Sequence, residues 1–275
     1  WIKEGLTQSL ILVAVYGDKL KVDLPVSSQL WVDKLVTELL SNDNVLIWKS
    51  FERLLPQLAE ASPNAFLETI ERHLDSDNSV VFSLFKEEEG FITPSSYHTG
   101  LLWGLENIAW TSEFFARASI VLAKLAVIDP GGNLSNRPKN SLIEIFKPWH
   151  FQTLASYNDR MDVLALICKE EPEIAWALLC SMLPNNHSVG MPTHKMRWRL
   201  FDEKLEKPIT YDEIWKTHSR VVELLISIFD DSEEKLAKLI EESSNKTLSP
   251  KDRNVMIDFL NSRLDNVKQN SFVAW

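Results

Sequence analysis

Residues 101–148 read LLWGLENIAWTSEFFARASIVLAKLAVIDPGGNLSNRPKNSLIEIFKP, and this stretch decides the fold. Apolar side chains recur at helical spacing before and after the polar pair Thr111 and Ser112, and a loop rich in Gly, Asn and Pro follows. A break of two residues between helices is typical of an antiparallel helix pair. The stretch therefore predicts two apolar helices that pack side by side and end in a polar loop.

The same two-helix pattern occurs three more times along the chain. The breaks between paired helices fall at Pro63, Ser112, Pro172 and Ser232, which are 49, 60 and 60 residues apart. A single pair cannot bury its apolar face, so neighbouring pairs must share a core. We predict an all-α fold, an irregular α-solenoid of antiparallel helix pairs similar to tetratricopeptide and HEAT repeats. A plain helical bundle is the alternative.

The chain is predicted to be one elongated helical-repeat domain over residues 1–275. Leading helices occupy residues 1–48, and the first of them, at 3–16, should stop at Gly17. Four helix-pair units follow, at residues 49–98, 99–155, 156–210 and 211–275. Because the chain starts at Trp1 and ends at Trp275 without a polar tail, we interpret it as a segment of a larger protein.

Local signals predict several helix ends and core positions. Ser62 and Ser249 each precede a proline, so both are expected to cap a helix that starts with that proline. Residues 51–58 carry apolar side chains at i, i+3, i+4 and i+7 and are predicted to form one helix. His73 falls on an apolar helix face, which indicates a core histidine with a hydrogen-bond partner.

Composition narrows the function classes. The formal net charge of −10 opposes non-specific binding to nucleic acid or to an anionic membrane. The longest apolar run, residues 10–16, is far shorter than a membrane span, and no signal peptide precedes it. Cys168 and Cys180 lie in apolar helical patterns, which indicates buried reduced thiols. We predict a cytoplasmic protein without membrane contact.

Three long polar connectors, at residues 75–98, 129–140 and 185–210, are expected to project from one edge of the stack. The third contains HKMRWR, the only dense basic patch in the chain. Tryptophan and arginine are enriched in binding hot spots, so this patch is the preferred contact surface. Its candidate residues are His194, Lys195, Arg197, Trp198 and Arg199.

Other interpretations of this patch remain open. Its cations could pair with an acidic surface elsewhere in the same protein, or its arginines and tryptophan could hold phosphates and stack bases. Trp198 and Trp215 flank the third connector, and we expect at least one of them to be an exposed anchor for a partner.

The loop after residue 128 contributes the remaining candidates. Its paired glycines could form an anion-binding nest, although a helix stop followed by a rigid Asn/Pro turn explains the same residues. Asn133, Asn136 and Arg137 of this loop complete the candidate partner-binding set.

The sequence carries no recognisable catalytic or metal-binding motif. G-x-S-x-G and H-E-x-x-H are absent, and the spacings of Cys168, Cys180, His187 and His194 match no usual zinc pattern. We predict that the chain is not an enzyme and takes no cofactor. The alternative is a helical hydrolase, which requires a deep polar pocket with a perturbed titratable pair.

The segments LLWGLENIAW, AKLAVIDPGGNLSNRPKNSL and HKMRWR resemble the helical regions downstream of the nucleotide-binding module in large bacterial STAND-type NTPases, some of which act in antiphage defence. The resemblance spans most of residues 1–199 and implies a sensor or scaffold region. The expected partner is a protein or other domains of the parent chain. A nucleic-acid-binding repeat that uses residues 194–199 is the alternative.

Overall fold

The computed structural model describes residues 1–76, 79–88, 96–185, 189–199 and 208–273, with side chains through residue 263. This part of the chain is all-α, as predicted. The first seven helices are α1 (Ile2–Tyr16), α2 (Ser28–Leu40), α3 (Val45–Phe51), α4 (Leu55–Ala61), α5 (Pro63–Leu74), α6 (Val80–Leu84) and α7 (Thr99–Ala109). The next seven are α8 (Ser112–Ile128), α9 (Pro138–Phe146), α10 (Tyr157–Glu170), α11 (Pro172–Met182), α12 (Tyr211–Ser227), α13 (Glu233–Ser243) and α14 (Pro250–Val273).

Two series of helix contacts run along the chain. In the first row, α1 contacts α4, α4 contacts α7, α7 contacts α9, and α9 contacts α11. In the second row, α2 contacts α5, and the series continues through α8, α10, α12 and α14. Contacts between sequence neighbours, such as α1 with α2, α4 with α5 and α7 with α8, join the two rows.

A single apolar core extends from α1 to α14. Its largest fully buried side chains are aromatic: Trp48, Phe66, Phe85, Phe115 and Phe146. Burial of such side chains is the main favourable term in folding, at about 25 cal/mol per Å² of apolar surface removed from water. The core therefore includes buried side chains from both rows and also from α3 and α6.

The predicted breaks at Pro63, Ser112, Pro172 and Ser232 are confirmed, because a helix starts at or directly after each of them, but residues 51–58 do not form one helix. Helix α3 ends at Phe51, a 3₁₀ turn occupies Glu52–Leu54, and α4 starts at Leu55. Pro56 explains the interruption, because it lacks an N–H group and its ring clashes with the carbonyl four residues earlier. Proline in the first turn of α4 avoids both problems.

The structure confirms the predicted cap at Ser249 and the end of α1 before Gly17, but it does not confirm the predicted cap at Ser62. The Ser249 hydroxyl accepts the backbone N–H of Asp252 at 3.1 Å, as a cap does. The Ser62 hydroxyl instead donates to Asp33 on α2, and it does not cap α5. Helix α1 ends before Gly17 as expected, but that glycine has a right-handed φ of −58°. Its small size matters because an added Cβ would lie 2.4 Å from the Ser28 hydroxyl.

Parts of all three connectors pack against the helices, so the prediction that the connectors project from the stack does not hold for those parts. The first contains α6, whose Val80, Val81 and Leu84 are buried. The second ends in α9, which starts at Pro138. The described part of the third lies against the helices, as shown below. Each connector was predicted from its polar composition, which does not reveal short helices or non-local hydrogen bonds.

Candidate functional site

The third connector forms an extended strap, defined here as residues 189–199, that crosses three helices of the first row. The backbone N–H of Met191 donates to Glu144 of α9 at 2.8 Å, and that of His194 donates to Glu106 of α7 at 2.9 Å. Glu60 of α4 accepts the backbone N–H groups of Trp198 and Arg199. Each of three successive helices thus contributes one carboxylate that binds the strap by its main chain.

The spacing of these contacts follows from ordinary chain geometry. An extended chain advances about 3.3 Å per residue, and packed helices lie about 8–10 Å apart. Three residues separate Met191 from His194, and four separate His194 from Trp198, so each interval is long enough to pass from one helix to the next. The strap runs opposite to the order of the helices in the chain, from α9 back to α4.

Further contacts fix the start and middle of the strap. The Lys147 ammonium donates to the Val189 carbonyl, and the Trp110 indole N–H donates to the Thr193 hydroxyl at 3.1 Å. Gln152 accepts the Thr193 backbone N–H at 3.4 Å. These contacts explain why a segment without helix or strand structure keeps one path over the surface.

Arg199 is half-buried and anchors the end of the strap on α4. Its Nε donates to the Glu60 carbonyl, and one of its Nη atoms lies 2.8 Å from the Ala61 carbonyl and also contacts the Gln29 amide oxygen. Met196 is buried. The inner edge of the strap is therefore partly buried against the helices, with Met196 almost fully covered. Arg199 and the Trp198 backbone bind acceptors of the same chain, which supports the interpretation that this part of the basic patch makes internal contacts.

The outer edge of the strap presents one histidine and two cationic side chains, each beside an indole ring. The His194 ring stacks on Trp103 with a centroid distance of 4.0 Å, and the Lys195 ammonium lies 4.4 Å from the centre of the Trp110 ring. The Arg197 guanidinium lies 5.1 Å from the Trp198 ring. His194, Lys195 and Arg197 are exposed. The structure thus divides the five candidates of this patch into three outer and two inner residues.

The loop candidates lie elsewhere, and Arg137 is not available to a partner. Its guanidinium pairs with Asp129 at 3.0 Å and with Glu87, and its side chain is buried. Asn136 accepts a hydrogen bond from His98 through its carbonyl at 2.6 Å, while Asn133 is exposed. Two carboxylates of the same chain surround this cation, so its side chain is not exposed at the surface, and the partner-binding role of the loop stays a prediction.

The possible anion nest is occupied by the protein's own carboxylate. Glu87 accepts the backbone N–H groups of Asn133 and Leu134, and these bonds are the main reason that its pKa is lowered. Gly131 and Gly132 have φ values of +73° and +148°, which L side chains rarely adopt. The loop is therefore a rigid turn closed by an internal carboxylate.

Burial governs the electrostatics under the strap. Burial raises the pKa of Glu106, and hydrogen bonds from the His194 backbone and from Ser141 oppose this effect. The Ser141 hydroxyl donates to Glu106 at 2.6 Å, which links α7 to α9. The His194 ring loses contact with water where it stacks on Trp103, which lowers the pKa of its imidazole although the residue as a whole is exposed. Because both oxygens of Glu106 accept protein donors, this carboxylate holds the strap in place.

The structure also shows the positions of the predicted core histidine, the two cysteines and the possible metal ligands. His73 is buried, with its Nε2 atom 3.4 Å from the Leu40 carbonyl, which confirms the core histidine. Cys168 and Cys180 are free thiols, and burial raises the pKa of each to about 11. His187 lies outside the described residues. In the described ranges, no group of three or more His, Cys, Asp or Glu side chains could hold a metal ion.

Trp215 is the exposed one of the two tryptophans that flank the third connector. Its side chain is 63% exposed, and it lies beside Tyr211, with ring centroids 6.2 Å apart on the first turns of α12. Trp198 is half-buried against the core. Of the two tryptophans that flank the third connector, Trp215 is therefore the one that a partner could reach.

The three carboxylates that bind the strap are not among the candidate residues predicted from the sequence. A signal was present, because each occurs within a mostly apolar helical run, in LPQLAEA, LLWGLENIA and SLIEIF. A carboxylate among core positions needs hydrogen-bond donors, since burying it unpaired is costly. Glu60 and Glu106 are among the buried charged residues, and Glu144 is half-buried.

Comparison of the chain with protein-family models, curated proteins and solved structures gave no match. The resemblance to STAND-type NTPases therefore stays a prediction. Among the helices that the structure describes, none is both long enough and apolar enough to cross a membrane.

Proposed function

We propose that this chain is an irregular α-solenoid that acts as a non-catalytic protein-recognition or scaffolding module of a larger bacterial cytoplasmic protein. The two rows of helix contacts support a solenoid of antiparallel pairs, because stacked pairs offer an extended surface built from several helices. The resemblance to STAND-type NTPases suggests a sensor region and a role in antiphage defence.

The main support for this proposal is that one edge of the strap binds the helices while the other edge exposes its side chains. Its main chain is held by Glu60, Glu106 and Glu144, so its outer side chains keep a fixed order along the surface. Those outer side chains are His194, Lys195 and Arg197, each beside an indole ring. Aromatic and arginine side chains dominate binding hot spots, and a fixed backbone lowers the entropy cost of binding.

The expected partner surface is acidic and belongs to a protein. Lys195 and Arg197 place positive charge at this edge of a chain with a net charge of −10. A nucleic acid would be repelled by the rest of the chain, and Arg199 is already engaged by Glu60, Ala61 and Gln29. We therefore favour a protein partner over a nucleic acid.

The test is affinity capture from bacterial lysate, with and without phage infection, followed by quantitative mass spectrometry. The baits are the unaltered chain, a variant with Lys195 and Arg197 changed to Ala, and a control with the exposed Lys139 and Lys169 changed to Ala. A protein retained by the unaltered and control baits, but lost from the strap variant, supports recognition at this edge. Equal retention by all three baits, or none by any, contradicts it.

A further inference from the structure

The face beneath the strap consists of α4, α7 and α9 and recognises an extended chain mainly by its backbone. Glu144, Glu106 and Glu60 accept backbone N–H groups at three points along the strap. Every residue except proline has a backbone N–H group. These contacts therefore fix where a bound chain runs along the face, but they place few demands on its amino-acid sequence. Recognition of extended peptides through main-chain hydrogen bonds and a few side-chain pockets follows the same logic.

Two sites on the face hold side chains of the strap and therefore require particular residues in any segment that binds there. Met196 is buried, with 6% of its surface exposed. Three residues later, Arg199 enters a site formed by the backbone carbonyls of Glu60 and Ala61 and by the Gln29 amide oxygen. A segment that fits this face therefore needs an apolar residue followed three positions later by an arginine.

The remaining strap side chains contribute little to burial. Met191 is 61% exposed, and Pro192, His194, Lys195 and Arg197 are also exposed. The carboxylates of Glu60, Asp33 and Glu113 act on the Arg199 guanidinium and oppose the lowering of its pKa by burial, so the face favours a positive charge at this position. Segments with few buried apolar contacts open at low free-energy cost. Another extended basic segment with the same two anchors has the contacts needed to replace the strap.

We propose that the face of α4, α7 and α9 is a binding site for an extended basic segment of a partner protein, which displaces the strap. The partner segment places an apolar residue in the Met196 site and an arginine in the Arg199 site. This inference goes beyond the proposed function, because it concerns the face under the strap and not its outer edge. The strap then acts as the built-in competitor of the partner.

The test measures binding of a fluorescent peptide with the sequence of residues 189–199 to the full chain by anisotropy. One variant carries Met196→Ser and Arg199→Ala, which weakens the internal strap without altering the face. We expect it to bind the peptide at least about tenfold more tightly than the unaltered chain, because the tethered strap competes at high effective concentration. Adding Glu60→Ala to this variant should reverse the gain, and a peptide with Arg199→Ala should bind weakly.

Circular dichroism must show that each variant is folded. If the folded strap variant binds the peptide no better than the unaltered chain, or if Glu60→Ala has no effect on binding, the proposal is overturned. Either outcome leaves the capture experiment on Lys195 and Arg197 unaffected, so failure of this inference is distinguishable from failure of the proposed function.

A second measurement uses the unaltered chain and does not depend on variants that fold. Hydrogen exchange is followed at the backbone amides of Met191 and His194 in isotope-labelled protein, with and without excess unlabelled peptide. Displacement of the strap predicts faster exchange at both amides when the peptide is added. Unchanged exchange at the highest soluble peptide concentration overturns the proposal and identifies the strap as a permanent brace.

Discussion

At the scale of single residues, identical side chains close together in the sequence have different roles. Arg197 and Arg199 are two positions apart in one basic patch, and sequence alone assigns them the same candidate role. The structure exposes Arg197 and directs Arg199 to backbone carbonyls of α4. Their difference depends on Glu60 and Gln29, which are more than 130 residues earlier in the chain, so local sequence cannot reveal it.

The two arginines provide a stability test. Arg199→Ala removes donors from buried carbonyl oxygens, and we expect a loss of about 1–3 kcal/mol in the free energy of unfolding. Arg197→Ala alters an exposed residue and should change this free energy by less than about 0.5 kcal/mol. Urea unfolding monitored by circular dichroism measures both variants. Equal losses in the two variants would show that Arg199 is not anchored as described.

The paired glycines provide a second matched test. An added Cβ at Gly132 would lie 2.1 Å from Glu87 and 2.2 Å from Arg137, whereas nothing lies within 4 Å of one added at Gly131. Both positions have positive φ, so each Ala substitution costs about 1–2 kcal/mol in backbone strain. Gly132→Ala should be the more destabilising because it also disturbs the Glu87–Arg137 pair. Thermal unfolding of the two variants checks this order, and the reverse order would argue against the packing of this loop.

His218 predicts an acid-sensitive contribution to stability. Burial lowers the pKa of its imidazole in the folded protein, with the Asp252 carboxylate opposing the effect. The unfolded chain therefore takes up this proton at higher pH, near the unperturbed pKa of about 6.5. As the pH falls from there through the lower folded pKa, the free energy of unfolding decreases.

Removing the imidazole should reduce this pH dependence. In His218→Leu, the decrease in unfolding free energy between pH 7 and pH 5 should be smaller than in the unaltered chain. Urea titrations of both proteins at the two pH values measure the difference, and comparison with the parent cancels the effects of other titrating groups. An identical decrease in both proteins would contradict the inferred role of His218.

At the scale of structural elements, the periodicity of apolar residues predicts the helices, but it does not predict contacts between residues that are far apart in the sequence. The apolar spacing identifies α5, α7, α8, α10 and α11 and their short breaks, since helical hydrogen bonds join near neighbours in sequence. The short helices α6 and α9 lie partly or wholly in predicted connectors. The strap lacks periodicity because its partners are carboxylates on three distant helices. The basic patch of the strap is visible in the sequence, whereas its position against α4 and α7 is not.

Glu106 tests how these elements are joined, because it accepts hydrogen bonds from Ser141 of α9 and from His194 of the strap. Glu106→Ala leaves two buried donors without an acceptor and should lower the unfolding free energy by about 1–3 kcal/mol. Glu106→Gln keeps one acceptor oxygen and should cost less. Guanidinium unfolding compares the two variants, and a larger loss for Gln than for Ala would exclude this bridging role.

At the scale of the whole molecule, the fold is two rows of helices around one core, with a strap over the first row. The all-α class follows from the sequence, as do the recurring helix pairs. The strap changes the functional interpretation, because it covers one face of the helices and places His194, Lys195 and Arg197 at the outer surface. The division into repeat units and the parent protein stay predictions.

The most direct test of this arrangement is amide hydrogen exchange at single residues by NMR. The backbone N–H groups of Met191, His194 and Arg199 donate to Glu144, Glu106 and Glu60, although none belongs to a helix. We predict that all three exchange much more slowly than in an unstructured peptide, and that Glu106→Ala accelerates exchange at His194 most. If these amides exchange at the rate of a free peptide, the connector does not lie across the helices, and the account is wrong.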